Sequence, residues 1–307
     1  MLKKCVVKKF LWVAKNLGVF SFCFWLTRKQ LRIIAYHGIW MGGGHFGNFL
    51  FMSSEKFARR MKLLSSLNVP ILSLAEALEK RRQGVLPDNT VVVTIDDGWH
   101  STYKHMLPVL EQCQIPATTY VTTYYAEKQV PNFGVAVQYM LALTKVEKIN
   151  LQQLGVAEGE IVDLKDIDQR ITSQKTIQKL ADSFASEEER QQLAFQLADL
   201  LGVNYKEIID KKLCHLMSMD EISDASSRGM DIQLHTHRHR VSIDGESCIE
   251  QEVNDNRVSL SRAVIEPLNH FCYPSGIYDR SVWPCLEALG VVSATTTEAG
   301  LVDKTTH

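Results

Sequence analysis

Three histidines lie within five positions of one stretch of the sequence, "DIQLHTHRHRVS" (231–242). They are His235, His237 and His239. Imidazole nitrogens ligate zinc and other divalent transition metals, but a tract this rich in histidine can equally be a polar loop. Because the ligands of a catalytic metal usually come from several parts of a chain, this stretch alone does not identify a site.

Two further stretches offer groups that could complete a metal site. The apolar run "VVVTIDDG" (91–98) ends in the adjacent carboxylates Asp96 and Asp97, and "HFCYPSG" (270–276) ends in a Pro-X-Gly turn. Since neighbouring side chains point in different directions, one carboxylate can ligate a metal while the other stays free as a base. Taken alone, Asp-Asp-Gly is also typical of a turn followed by a helix cap.

Short apolar runs alternate with helical patterns from residue 31 onward, and each of the three stretches ends such a run. This alternation predicts a parallel α/β sheet, open or closed into a barrel, whose sites form at the carboxyl ends of the strands. The three stretches therefore predict a metal site at one end of the sheet. The predicted strands are 31–36, 69–74, 91–95, 117–123, 230–235, 269–274 and 291–297, and the predicted helices are 54–67, 74–83, 100–113, 219–228, 246–264 and 280–289.

A helix-rich, charged segment over about residues 125–217 interrupts the alternation. We interpret it as an insertion into one barrel domain that covers residues 31–307, not as a second catalytic domain. Capping-box patterns predict that helices begin at Ser186 and Ser218.

Two polar stretches are interpreted as structural. We expect His100 and His105 to lie on a surface helix, and "NDNR" (254–257) to form a polar helix face. Neither stretch is expected to contribute to the site.

The composition is that of an ordinary globular protein. Of 307 residues, 45% are hydrophobic and 22% charged. The 34 basic and 35 acidic residues give a net charge of −1, so we expect no general electrostatic attraction to nucleic acid. The seven cysteines are scattered without a CxxC pair, which favours buried thiols in a reducing compartment over a disulfide framework.

The first thirty residues combine lysines with an aromatic, apolar stretch. The run 17–26 is shorter than the roughly 20 residues that span a bilayer, and it is followed by "TRKQLR", not by a small-residue cleavage site. This pattern therefore predicts that residues 1–30 form a basic, apolar helix. The helix either lies at a membrane interface or packs on the barrel's own core. We expect a cytoplasmic protein, with peripheral contact at the inner face of the membrane in the first case.

The motifs "TIDDG", "HTHRH" and "FCYPSG", in that order, resemble the first three motifs of the NodB-type polysaccharide deacetylases. In addition, "IIAYHG" (33–38) is similar to a Tyr-His pair on that family's first strand. The resemblance covers about residues 31–301, apart from much of the insertion. It implies a distorted, incompletely closed (β/α) barrel and a metal-dependent enzyme that removes acetyl groups from N-acetylated sugars.

Carried over residue by residue, the resemblance implies that Asp97, His235 and His239 ligate a divalent metal and that Asp96 is the general base. His237 falls at a variable position of the histidine motif. We expect Zn²⁺, with Co²⁺, Ni²⁺ or Mn²⁺ as alternatives.

The third motif is expected to contact the substrate and to stabilise the oxyanion through Tyr273, Pro274, Ser275 and Gly276, with the backbone N–H of Ser275 as a donor. It departs from the family's Arg-Pro-Pro-Tyr-Gly form, since Cys272 stands where an arginine would orient the base. The family's late Leu-x-x-His motif, which supplies the general acid, is also not evident.

Two histidines are candidates for the missing proton donor. They are His37, in the Tyr-His pair, and His307, the last residue of the sequence.

The sequence thus predicts a carbohydrate deacetylase that acts on a polysaccharide, a glycolipid or a lipid-linked precursor. Two alternatives stay open. The missing arginine and acid allow a catalytically silent carbohydrate-binding protein of the same fold. An amidohydrolase barrel would use His235 and His237 as a ligand pair, because alternate strand residues share a face, but that pair belongs on an early strand.

Overall fold

Six parallel strands form a curled, open half-barrel in a computed structural model that describes residues 2–43, 46–156, 161–241, 246–303 and 306. This architecture confirms the predicted incompletely closed (β/α) barrel. The strands are β1 (Arg32–Tyr36), β2 (Gly38–Ile39), β3 (Phe51–Met52), β4 (Val91–Ile95), β5 (Ala117–Val121), β6 (Lys148–Asn150), β7 (Ile161–Asp163), β8 (Asp231–Leu234), β9 (His270–Cys272) and β10 (Ser293–Thr295). The strand order in the six-stranded sheet is β1-β4-β5-β8-β9-β10.

Helices surround the sheet. The α-helices are α1 (Leu2–Asn16), α2 (Val19–Leu26), α3 (Ser54–Ser65), α4 (Leu74–Arg82), α5 (Leu107–Cys113), α6 (Tyr124–Lys128), α7 (Phe133–Leu143), α8 (Ile167–Asp182), α9 (Glu187–Leu200), α10 (Tyr205–Asp210), α11 (Met219–Ser227), α12 (Glu246–Leu260) and α13 (Trp283–Ala288). A π-helix (Thr102–Met106) precedes α5, and 3₁₀ turns occur at Leu151–Leu154, Pro274–Gly276 and Arg280–Val282. Both predicted capping boxes are confirmed at the starts of α9 and α11.

Strand alternation gives the curled sheet two different faces. Val91, Val93 and Ile95 of β4 pack with the surrounding helices in the largest hydrophobic cluster. Val92 faces the other way and packs in a small, separate cluster with Tyr120 and Cys272. We call the face that carries Val92 the inner face, because successive strand residues point to opposite sides.

The predicted strand 69–74 is wrong. Only Ile71 bridges to Val91, and helix α4 begins at Leu74 because the Ser73 side chain accepts a hydrogen bond from the backbone N–H of Glu76. Pro70 cannot donate a backbone hydrogen bond to a ladder. The apolar run is therefore a connection that enters a helix.

His100 is also not a surface residue, contrary to expectation. It is 8% exposed, and its Nδ1 lies 3.1 Å from Oε2 of Glu221 at the start of α11. Lys212 contacts the same carboxylate, at 2.9 Å, so the polar character of this stretch reflects contacts with α11 and not exposure to solvent.

The segment 125–217 builds a second hydrophobic cluster of its own. Helices α7, α9 and α10 supply half of its buried residues, and β6 and β7 form an antiparallel pair beside them. Phe51 and Trp99, which lie next to the strand ends of the barrel, pack into the same cluster. The segment therefore contacts the barrel directly beside the residues that follow β4.

The N-terminal residues form two helices instead of one, separated by a turn in which Gly18 adopts a left-handed conformation (φ 72°). They join the barrel at the amino ends of its strands, where Arg28 and Lys29 pair with Asp88 at 3.3 and 2.6 Å. No helix in the described part of the chain is both long enough and apolar enough to cross a membrane.

Candidate metal centre and active site

The carboxylate of Asp97 lies among three imidazoles and an indole. Its Oδ1 lies 3.0 Å from Nε2 of His235 and 3.2 Å from Nε2 of His239. Its Oδ2 lies 2.8 Å from Nε2 of His37 and accepts a hydrogen bond from Nε1 of Trp99 at 3.1 Å. These residues follow β1, β4 and β8, so the carboxyl ends of three parallel strands bring them together.

Sharp turns present these side chains as soon as the strands end. Asp97 (φ 71°), Thr236 (φ 64°), His239 (φ 57°) and Ser275 (φ 57°) all adopt left-handed backbone conformations. Such conformations cost free energy in residues other than glycine and are concentrated at functional sites. The turn at Thr236 lies between His235, which directly follows β8, and His239, which folds back beside it.

Asp97, His235 and His239 fit the requirements of a metal centre. Each offers a ligand atom, and these atoms all lie within 4.8 Å of one another. Nδ1 of His235 lies 2.8 Å from the carbonyl oxygen of Cys272. Donation from Nδ1 to that carbonyl leaves the lone pair of Nε2 directed at the cluster, which is the usual support of a metal-bound histidine.

The two adjacent aspartates have different electrostatic environments. Burial alone would raise the pKa of Asp97, but His37, His235 and His239 surround its carboxylate and hold that pKa well below its usual range. Asp96 is half-buried, and burial raises the pKa of its carboxyl group. Asp97 thus has the character of a permanently ionised ligand, and Asp96 that of a base that can accept a proton.

His37 is placed between the carboxylate and an aromatic wall. Its ring packs against Phe51 and Trp99, with centroids 5.2 and 5.7 Å away. Burial lowers the pKa of His37, but the neighbouring Asp97 and Asp96 carboxylates outweigh this effect and raise it overall. His37, one of the two predicted candidates for the proton donor, therefore lies in the cluster. The other candidate, His307, lies outside the described residues.

His237 is not part of the cluster. Its Nδ1 lies 2.8 Å from Oγ1 of Thr123, and its ring stands edge-on to Tyr124. Its backbone carbonyl accepts hydrogen bonds from Tyr124 N at 2.8 Å and from Oγ1 of Thr122 at 2.9 Å. These contacts fix the loop that carries His239.

Asn256 supports the histidine loop, contrary to its interpretation as part of a polar helix face. It is fully buried; its Oδ1 accepts the backbone N–H of His235 at 2.9 Å, and its Nδ2 donates to Oγ1 of Thr123 at 3.0 Å. Glu252, one helical turn earlier, accepts the backbone N–H of Arg238 at 2.7 Å. Glu252 and Asn256 are four residues apart, so a helix places both side chains on the same face. This spacing could have indicated their shared role.

The contact of Trp99 with the site was also not predicted from the sequence. Asp-Asp-Gly-Trp drew attention only to its carboxylates, yet Trp99 donates to Asp97 and is 3% exposed. An indole N–H that is buried needs an acceptor, and this requirement could have linked Trp99 to the adjacent carboxylates.

The third motif combines a buried side chain with an exposed turn. Tyr273 is 2% exposed and packs against Phe271 and Tyr278, so its side chain is shielded from solvent. Pro274 is buried, whereas Ser275 is exposed. Gly276 is required at its position, because its φ is 66° and an added Cβ would lie 2.0 Å from Oγ1 of Thr297.

The fold and the cluster define a class of proteins: open (β/α) barrels with a candidate metal centre of one carboxylate and two imidazoles at the strand ends. The family model described as polysaccharide deacetylase matches residues 83–294. The chain therefore belongs to the polysaccharide deacetylase family, which confirms the resemblance found in its motifs.

Curated relatives include the poly-beta-1,6-N-acetyl-D-glucosamine N-deacetylases of Staphylococcus aureus strains MSSA476 and MRSA252. Each is 31% identical over 110 residues, which make up 36% of this chain and 36% of the relative. The match thus spans about a third of the length of these relatives.

Solved structures share the fold. The Streptococcus pyogenes deacetylase PplD, in complex with acetate, is 16% identical, with a TM-score of 0.55 over 89% of this chain and 85% of that one. IcaB from Ammonifex degensii is also 16% identical, with a TM-score of 0.53 over 88% of this chain and 84% of that one.

Proposed function

We propose that this protein is a metal-dependent hydrolase that removes the acetyl group from an N-acetylated sugar of a polysaccharide, glycolipid or lipid-linked precursor. The observation that carries the proposal is the cluster of Asp97, His235 and His239, with the half-buried carboxylate of Asp96 beside it. Family membership and the substrate named for the curated relatives, an N-acetylglucosamine polymer, support an acetylated amino sugar.

Asp97, His235 and His239 would hold the metal, and we propose Zn²⁺ because mixed imidazole and carboxylate ligands suit it. Three protein ligands leave coordination positions for water and substrate. Bound there, a divalent ion supplies Lewis acidity toward the acetyl carbonyl and lowers the pKa of a water.

The chain's own groups would carry the protons. Asp96 takes the proton of the attacking water as the new C–O bond forms. The backbone N–H of Ser275 donates to the developing oxyanion. His37 gives its proton to the nitrogen as the C–N bond breaks, so that the products are acetate and the free amine.

Acetate release tests the proposal. The purified full chain is expected to release acetate from N-acetylglucosamine oligomers, to lose this activity on chelation, and to regain it when Zn²⁺ is added back. A panel of O-acetylated sugars defines the linkage. Sugar binding without acetate release under every metal tested would instead establish the silent carbohydrate-binding alternative.

We further propose that residues 1–30 contact a membrane surface and hold the protein peripherally at its inner face. Phe10, Trp12, Leu17, Phe22 and Leu26 are each at least 60% exposed. The first 54 residues carry eight lysines and arginines and no acidic residue, although the whole chain has a net charge of −1. Apolar side chains with basic neighbours suit an anionic lipid surface.

Removal of residues 1–26 is expected to abolish binding to vesicles that contain phosphatidylglycerol while acetate release and Tm change little. The truncation keeps Arg28 and Lys29, which pair with Asp88. A matched variant, Lys8→Gln with Lys9→Gln and Lys15→Gln, should weaken vesicle binding on the order of 100-fold, since each surface lysine contributes about 1 kcal/mol. A truncated protein that melts far below the full chain would support core packing instead.

A further inference from the structure

Asp96 and Cys272 are neighbours on the inner face at the carboxyl end of the sheet. Strand alternation places Asp96 on the same side as Val92, and Cys272 packs in the cluster that contains Val92. Sγ of Cys272 lies 3.6 Å from Oδ1 of Asp96. This distance is within the range of a hydrogen bond in which the thiol donates to the carboxylate.

The Asp96 carboxylate has fewer hydrogen-bonding neighbours than the Cys272 thiol has. Among the residues that the structure describes, Cys272 is the one side chain with a hydrogen bond to the Asp96 carboxylate. The thiol also has the side chains of His235 and Thr295 within hydrogen-bonding reach, and the carbonyl oxygen of Tyr273 lies 3.9 Å away. Cys272 is buried.

Cys272 also contacts the metal cluster. Its carbonyl oxygen lies 2.8 Å from Nδ1 of His235. One residue thus touches the candidate base through its side chain and a candidate metal ligand through its backbone. A shift of Cys272 would change the position of Asp96 relative to the cluster.

We propose that Cys272 is a positioning residue for Asp96: its S–H holds the carboxylate in the orientation from which it accepts the proton of the attacking water. The inference rests on the proposed hydrolase function. An uncharged thiol can orient the carboxylate without forming an ion pair with it, so the full negative charge stays available for the proton transfer.

Two substitutions separate hydrogen bonding from packing. Cys272→Ser keeps a donor but is smaller, and Cys272→Val fills the space without a donor. If Cys272 positions Asp96, kcat falls about 10-fold or more in Cys272→Val, which corresponds to about 1.4 kcal/mol of transition-state stabilisation, and Cys272→Ser retains the larger share. KM and metal content are expected to stay near those of the unchanged protein in both.

A packing role predicts the opposite order, with Cys272→Val the more active variant, and that order would overturn the inference. Cys272→Ala provides a third comparison if valine prevents folding, and it too must turn over more slowly than Cys272→Ser. Cys214→Ala, at a buried cysteine of the second hydrophobic cluster, controls for loss of a buried thiol and should leave kcat unchanged. Failure of the unchanged protein to release acetate would refute the hydrolase function itself, whereas an active protein with an equally active Cys272→Val variant would refute only the role of Cys272.

Discussion

His235→Ala and His239→Ala are each expected to yield a protein that loses its metal on dialysis and releases no measurable acetate. Each substitution removes one of the three donors that converge within 4.8 Å. The loss of metal affinity should exceed the roughly 10- to 100-fold typical of residues that only support a ligand. Metal content and acetate release, measured on the same preparations, check the result.

His237→Ala is the matched control, because it removes an imidazole from the same loop. His237 contacts Thr123 and Tyr124 outside the cluster, so this variant should keep its metal, with at most a moderate loss of turnover. An empty His237→Ala protein beside a metal-loaded His239→Ala protein would favour the His-x-His pair of an amidohydrolase barrel.

Asp96→Asn is expected to lose about 10²- to 10⁴-fold in kcat, the range for removal of a general base, while retaining its metal. Asp97→Asn should lose the metal as well, because Asp97 contacts both His235 and His239. Equal loss of metal in the two variants would contradict the division of roles between the adjacent carboxylates.

His37→Gln distinguishes the proton donor from the base in the same assays. It should keep its metal and lose amide hydrolysis, yet still hydrolyse 4-nitrophenyl acetate, whose leaving group needs no proton. Asp96→Asn should fail with both substrates. If His37→Gln and Asp96→Asn fail alike with both, His37 is not acting as the acid.

The grouping of the candidate ligands could be predicted from the sequence because it follows from topology. Asp97 and His235 end parallel strands of one sheet, and the carboxyl ends of such strands lie at one edge. The motif order then pointed to a known family. No such rule connects Asn256 to His235, because the contact depends on how α12 packs across the sheet.

Local patterns failed where tertiary contacts decided the outcome. The run 69–74 has the apolar character of a strand, yet Ser73 begins a helix there. His100 looked solvent-exposed because its partner Glu221 is 121 residues away. Cys272 was noted only for the arginine it replaces, since a contact with Asp96 across 176 residues leaves no local signal.

The two N-terminal helices join the barrel at one end of its strands, and the candidate site opens at the other. Strand β1 runs from one to the other through five residues, a rise of about 17 Å at 3.3 Å per residue. If α1 and α2 hold the protein to a bilayer, its candidate active site would therefore lie above the lipid headgroups. A glycolipid or lipid-linked precursor would then reach the candidate site with the outer residues of its glycan chain, not with the sugar attached directly to the lipid. The length of the glycan chain would therefore influence which of these substrates reaches the site.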